Sequence, residues 1–290
     1  MIEWYQKEGI SMEHILEVDN ICKQYKDFKL DHVTFRLPTG CIMGFIGANG
    51  AGKSTTIKCI MDLIKKDSGK VYVLGKDNET ELKSVKEDIG VVMDECCFPE
   101  ELSIKNIKKV MKNIYKNWEE TTFQSYIERF GLPEKKAVKE FSKGMKMKLS
   151  IAVALSHRAK LLILDEATSG LDPMVRDEIL DVFLEFIQDE THGILISSHI
   201  TSDLEKICDY ITFIHQGKVV FTEEKDILLE KYAILKCSEK ELETIPKEAI
   251  AGQKKNQFGV ELLVERDRVN SSFQMEKPSL EEIMLYFSQR

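Results

Sequence analysis

A membrane-spanning segment is the first thing missing from this sequence. None of its 290 residues fall in an apolar run near the roughly 20 needed to cross a bilayer. No secretory signal peptide is visible either, so any membrane role has to come through a partner. The seven cysteines (22, 41, 59, 96, 97, 208 and 237) show no CxxC spacing and no metal-ligand pattern. That excludes a zinc ribbon or disulfide scaffold and fits reduced thiols of a cytosolic protein. The neighbours Cys96 and Cys97 read as packing residues. Excess positive charge is absent too: the formal charge is −8. A nucleic-acid binder working through overall basicity is therefore excluded, and no nucleic-acid partner is expected. There is no internal repeat and no low-complexity segment. Met1 to Ser11 carry no motif and precede a second methionine, Met12, so residues 1–11 read as an N-terminal extension. The length allows a full core and more than one domain.

What is present is dominated by one loop, Gly47-Ala48-Asn49-Gly50-Ala51-Gly52-Lys53-Ser54-Thr55. It fits the P-loop pattern of glycine, four residues, then Gly-Lys-Ser/Thr. An apolar strand, Ile42 to Ile46, precedes it. A helix with apolar spacing, Thr56 to Ile64, follows. Glycines Gly47, Gly50 and Gly52 let the backbone curl so that N–H groups, including those near Asn49 and Ala51, point at phosphate oxygens. The helix start adds its positive dipole end. Lys53 is expected to bridge the β- and γ-phosphates of a nucleotide, and Ser54 to ligate magnesium.

The rest alternates in character. Ile15–Val18 and His32–Phe35 read as antiparallel strands with Tyr25 between them. Lys66 to Gly69 reads as a turn, Val71–Leu74 and Ile89–Met93 as strands. From 95 to about 158 the pattern turns helical: Ile104, Ile107, Met111, Ile114 and Trp118; then Phe123, Ile127 and Phe130, stopped by Gly131-Leu132-Pro133; then Ser142 to His157. Leu161–Leu164 returns as a wholly apolar strand, as in the centre of a parallel sheet. A helix (Pro173–Gln188), a strand (Ile194–Ser198), a helix (Ile200–Cys208) and a hairpin broken at Gln216-Gly217 follow. Residues 231–290 look like a small separate α+β unit, closed by a helix that a Ser279-x-x-Glu282 capping box opens.

A P-loop needs an acidic element to hold magnesium, and Leu161-Leu162-Ile163-Leu164-Asp165-Glu166 supplies it. Asp165 is placed for the ion, directly or through water. Glu166, one residue on, is the candidate general base for the attacking water. The pair ends a strand at the edge where open α/β sheets bind ligands.

With these residues in view, the chain from about 14 to 225 resembles ATP-binding cassette (ABC) proteins. Phe141-Ser142-Lys143-Gly144-Met145 resembles their signature motif, Ser169-Gly170-Leu171-Asp172 their D-loop, and His199 their switch histidine. Tyr25 sits where the family places an adenine-stacking aromatic. Two departures stand out. Asp94 occupies the usual position of a magnesium-ligating, partner-sensing glutamine, and Lys143 and Met145 replace glycine and glutamine in the signature. The resemblance implies an α/β, P-loop NTPase (RecA-like) core with an antiparallel β-subdomain and a helical insert. It implies a cassette over 12–230 that uses ATP and Mg2+. It further implies a homodimer in which Ser142 and Gly144 of one copy close on the nucleotide of the other. His199 would then contact the γ-phosphate. The chain looks similar to Gram-positive exporters of the bacitracin, lantibiotic-resistance and phenol-soluble-modulin types. That implies an ATPase subunit at the cytoplasmic face of the membrane, docked to an ABC-2-like permease near residues 94–102 and exporting amphipathic peptides. Ribosome- and DNA-acting relatives carry paired cassettes, coiled coils or zinc cysteines, which this chain lacks.

Overall fold

The computed structural model describes residues 14–256, 259–270 and 273–288. The 1–11 extension lies outside them, as do Met12 and Glu13. Two antiparallel strands open the fold, β1 (His14–Gln24) and β2 (Lys29–Pro38). β3 (Ile42–Ile46) enters the centre and α1 (Lys53–Ile60) follows it. β4 (Ser68–Val73) and β5 (Lys76–Asp77) rejoin the first sheet, whose order is β2-β1-β4-β5. After α2 (Leu82–Val85) and β6 (Ile89–Val92) comes a helical insert of α3 (Ile104–Ile114), α4 (Glu120–Arg129) and α5 (Lys143–Leu155). The core resumes with β7 (Leu161–Asp165), α6 (Pro173–Phe186), β8 (Gly193–Ser198), α7 (Thr201–Ile207), β9 (Tyr210–His215) and β10 (Lys218–Glu224). The last segment holds α8 (Lys225–Lys231), β11 (Tyr232–Cys237), α9 (Glu239–Leu242), β12 (Ile250–Asn256), β13 (Gly259–Glu265), β14 (Met275–Glu276) and α10 (Leu280–Ser288).

The central sheet runs β10-β9-β3-β8-β7-β6, parallel except for β10. Every residue of β3, β7 and β8 is buried, which explains their unbroken apolar runs: both faces are covered. Side chains alternate between two cores. Met43, Phe45, Ile163 and Leu195 pack with α1 and the antiparallel sheet. Ile42, Ile46, Leu164 and Ile196 pack with the insert, α6 and α7. Arg129 of α4 clamps Glu185 of α6 with two bonds of 2.5 and 2.8 Å, tying the insert to the core.

Three expectations change. The helix read over Thr56–Ile64 spans Lys53–Ile60. The Lys66–Gly69 turn is shorter than its composition suggests, because Ser68 and Gly69 already belong to β4, and Ser68 pairs with Cys22. Gly69 has φ +90° and packs against the Asn20 backbone, so the glycine serves a bulged pairing with β1. The helix read over Ser103–Trp118 ends at Ile114.

The C-terminal sheet, order β12-β13-β11-β14, divides its faces. Ala233, Leu235, Leu262 and Val264 close a core of its own. Ile234, Leu263 and α10 residues Ile283 and Phe287 join the core of the cassette. Phe287 meets Phe221 of β10 and Tyr232 edge-on at 5.5 and 5.6 Å.

The β9–β10 turn carries the expected Gln216-Gly217, with φ 47° and 77°, the paired left-handed conformations of a type I′ hairpin. Gly217 also donates to the Ala51 carbonyl at 2.9 Å and accepts from Asp31 N–H at 2.8 Å, so the turn braces the P-loop. A Cβ at 217 would lie 1.8 Å from the Lys29 carbonyl oxygen. Gly217→Ala is therefore expected to cost about 3 kcal/mol of stability through clash and left-handed strain. Urea unfolding followed by circular dichroism, read as a midpoint shift at constant slope, checks it.

Candidate nucleotide site

Four neighbouring strands, β3, β8, β7 and β6, end on the same edge of the central sheet. Their continuations bring Gly47–Lys53, His199, Asp165–Glu166 and Asp94 to one place. The loop after β3 is held tight. A Cβ at Gly47 would lie 2.4 Å from the Ile214 carbonyl oxygen, and Gly52, at φ +117°, abuts Leu30 and Phe28. Larger residues there would push the loop away from the sheet. Lys53 opens α1 and is buried. Its Nζ donates to the Gly47 carbonyl at 2.7 Å and lies 3.1 Å from Glu166 Oε1.

Glu166 is the pivot. Its other carboxylate oxygen lies 2.7 Å from His199 Nδ1. Its backbone is left-handed, with φ 53°, a conformation that costs a non-glycine residue about 1–3 kcal/mol and persists only when its surroundings enforce it. They do: Glu166 N–H donates to both the carbonyl and the hydroxyl of Ser197, at 3.1 and 3.2 Å. Ser197 Oγ in turn donates to Asp165 Oδ1 at 2.5 Å. Ser197 thus fixes both acidic residues, because β7 and β8 pair Asp165 with Ser197.

The cleft over the loop has a volume of about 530 Å³. Asn49, Gly50, Gly52, Lys53, Ser54 and Thr55 line it, with Asp94 and Glu166 opposite. Gly47 and Ala51 shape the loop without lining the cleft. An adjoining hollow of about 680 Å³ is bounded by Asn49, Asp94, Lys143, Glu166 and His199. A cleft with a buried lysine, a curled glycine loop and a helix start can hold a polyphosphate, and Glu166 beside it can orient water.

The family model described as ABC transporter matches residues 30–169. The lantibiotic transport ATP-binding protein SrtF of Streptococcus pyogenes is 37% identical over 216 residues, covering 73% of this chain and 92% of its own. The chain belongs to the ABC transporter family. A second ABC relative, the bacitracin transport ATP-binding protein BcrA of Bacillus licheniformis, is 35% identical over 212 residues, 72% of this chain and 69% of BcrA. A solved structure of an ATP binding subunit of an ABC transporter superposes with a TM-score of 0.66 at 28% identity, over 73% of this chain and 90% of that one. The expected P-loop NTPase fold is therefore the one observed. This ABC chain is an ATP-binding ATPase of the transport kind, and no helix among the described residues is long and apolar enough to cross a membrane.

Not every residue that the ABC resemblance singled out meets this cleft. Asp165 is 1% exposed and sits behind the lining. Tyr25 is 42% exposed and outside the lining, whereas Phe28, three residues on in the same turn, lines the cleft beside Asp27. Tyr25 N–H donates to the Phe28 carbonyl at 2.8 Å, which makes the turn tight. Ser142 is exposed and caps α5, its Oγ accepting from Met145 N–H at 3.2 Å. Neither Ser142 nor Gly144 borders either hollow. Lys143 does border the second hollow, and its Nζ lies 2.9 Å from where a Gly170 Cβ would sit. The sequence reading missed Ser197 and Phe28. Cys96 packs half-buried against the insert, but Cys97 is exposed and is not a packing residue; partial desolvation, then the nearby Cys96, Asp94 and Glu95, raise its thiol above the ordinary value. It is not poised as a thiolate nucleophile.

Proposed function

We propose that this chain is the ATP-hydrolysing subunit of an exporter for amphipathic or antimicrobial peptides. It works as a homodimer on the cytoplasmic face of the membrane, beneath a separate ABC-2-like permease. The observation that carries the hydrolytic half is Glu166 spanning Lys53 Nζ at 3.1 Å and His199 Nδ1 at 2.7 Å on the wall of the P-loop cleft. Lys53 and the loop N–H groups bind the phosphates. Glu166 orients water and accepts its proton at the carboxylate. His199 fixes the Glu166 side chain and meets the terminal phosphate.

The donors near the cleft are oxygens: the Ser54 hydroxyl, the Asp94 carboxylate and, one layer back, Asp165. That set suits a hard divalent cation such as Mg2+. Ser54 and Asp94 would hold it directly and Asp165 through water. When bound there, the ion neutralises charge on the phosphate oxygens. Phe28 and Tyr25 share one turn at the cleft mouth and serve the adenine. Ser142 and Gly144 start α5, whose N-terminal N–H groups form an anion site. Since they border neither hollow of their own chain, their phosphate partner belongs to a second copy.

The cargo class follows SrtF and BcrA, whose names specify lantibiotic and bacitracin transport. The permease docks at residues 94–102, where Asp94 is exposed and Phe98 and Leu102 are half-buried against the insert. Co-expression with a candidate ABC-2-type membrane protein from the same genome, followed by purification in lipid nanodiscs, tests the reading. A joint complex whose ATP turnover rises with an added lantibiotic or bacitracin supports it. A chain that leaves the membrane fraction, or turnover indifferent to such peptides, overturns it. In that complex Asp94→Ala is expected to raise the magnesium needed for half-maximal turnover about tenfold, since a carboxylate ligand of a hard cation is lost. It should also blunt the peptide response. If neither changes, Asp94 does not hold the ion and does not report to the permease.

A further inference from the structure

The insert carries a charge opposite to that of the chain. Residues 103–139 contain nine lysines and arginines against four glutamates, within a protein of net −8. Much of this charge gathers around a groove of about 1000 Å³ between α3 and the loop after α4. Lys105, Lys108, Lys109 and Lys112 come from α3 and Lys135 from the loop. Their spacing of three and four residues puts the α3 lysines on one flank, while Ile104 and Ile107 face the core. The stripe is about 10 Å long. Glu120 neutralises part of it, lying 3.2 Å from Lys108 and 3.0 Å from Lys112. Lys105, Lys109 and Lys135 form no ion pair among the described residues. Glu134, also in the lining, accepts from Gln124 at 2.9 Å.

We infer that this lysine groove is a docking surface for the anionic phospholipid headgroups of the membrane. Three observations favour lipid over an acidic protein segment. All five cations are lysines, point charges on flexible stems that suit a diffuse anionic surface, and no arginine fork lines the groove for planar carboxylates. The same helix exposes Val110 and Ile114, 42% and 58% accessible, on its other flank, so the outer surface of α3 carries aliphatic side chains as well as charges. Finally, Ser103 stands at the start of α3 and lines the groove, directly after the 94–102 loop. This last point alone rests on the proposed permease docking at that loop, which would hold α3 at the bilayer side. The groove lies outside the nucleotide cleft, so its lysines take no part in hydrolysis.

The purified full chain, without permease, is to be sedimented with vesicles of phosphatidylcholine alone or with phosphatidylglycerol added at 30 mol% (about a third, a strongly anionic surface). The quadruple variant Lys105→Gln, Lys109→Gln, Lys112→Gln and Lys135→Gln is compared with a control in which Lys70, Lys83, Lys86 and Lys240 are changed to glutamine. Both sets remove four positive charges, so the net charge of the two proteins is equal. The wild type and the control should partition onto the anionic vesicles and not onto the neutral ones. The groove variant should lose on the order of a hundredfold in partition coefficient at low salt, a loss that shrinks as salt is raised. Its ATP affinity should match that of the wild type, which shows that it is folded. Equal partitioning of groove and control variants overturns the proposal. So does binding to soluble polyglutamate with none to anionic vesicles, which would make an acidic protein segment the occupant. Because the assay contains neither permease nor peptide, its failure is separate from failure of the exporter reading.

Discussion

Glu166→Gln is expected to lower steady-state ATP turnover by about 10² to 10⁴-fold, the range that a positioned general base contributes, while leaving ATP binding intact. The substitution keeps the shape of the side chain, so hydrogen bonding toward His199 persists. The left-handed backbone, held by Ser197, is equally accessible to both residues. What disappears is the proton-accepting carboxylate and its negative charge, 3.1 Å from Lys53. With that charge gone, a triphosphate meets less repulsion at the lysine, so affinity should stay level or tighten. The ATP-bound dimer should then accumulate, visible as a shift to twice the mass in size-exclusion chromatography with light scattering. Turnover within about threefold of wild type would remove Glu166 from its role as base. Loss of ATP binding would make its part structural, a support for Lys53. The two readouts separate these outcomes.

The residues that could be read in advance were those whose chemistry is local. The P-loop is nine consecutive residues, and Asp165-Glu166 closes an apolar run that has to be a buried strand. Both sit where a strand meets a loop, and that junction is written in the residues themselves. Ser197 was not legible, because its role depends on β7–β8 register: Asp165 and Ser197 are 32 residues apart in sequence and opposite each other in the sheet. Phe28 was hidden for a related reason. Tyr25 and Phe28 flank one tight turn, and only the packing of Phe28 against Gly52 decides which ring borders the cleft.

The same distinction runs through the fold. β3, β7 and β8 stood out because burial on both faces demands unbroken apolar residues. Ser68 and Gly69 have the composition of a turn, yet pairing with Cys22 and the neighbouring β1 backbone draws them into β4. Tertiary pairing outweighed local preference there. In the last segment the apolar stripe of α10 was plain, but not its target. Phe287 reaches across to Phe221 of the cassette, so the small sheet shares a core with it. β12, with Gly252 and two lysines, has too little alternation to announce itself as a strand.

Lys53→Ala is expected to weaken ATP binding by a hundredfold or more. A buried ammonium reaching two phosphates makes charge-assisted hydrogen bonds, each contributing about 1.5–3 kcal/mol. Loss of both corresponds to a drop of between about 10² and 10⁴-fold. Part of the alanine effect, however, is structural. Lys53 Nζ also donates to the Gly47 carbonyl at 2.7 Å and balances the largely buried Glu166. Removing it leaves that carboxylate without a cation, which destabilises the loop edge of the sheet. Lys53→Met separates the two contributions. Methionine fills most of the same space on α1 without the charge, so the packing around the loop survives. The double variant Lys53→Met, Glu166→Gln also removes the orphaned carboxylate. If phosphate capture is the function of Lys53, the double variant should regain thermal stability over Lys53→Met while remaining unable to bind ATP by isothermal titration calorimetry. If affinity returns together with stability, Lys53 acts by holding the loop in shape, and the cradle is the backbone alone. Unchanged affinity in Lys53→Ala would overturn both roles. The arrangement observed favours the first outcome, because Glu166 Oε1, 3.1 Å from Nζ, lines the same cleft as Lys53, and a triphosphate entering it can take the place of that oxygen. Binding would then release the carboxylate toward water, so the cation that captures the nucleotide also controls when the base becomes free.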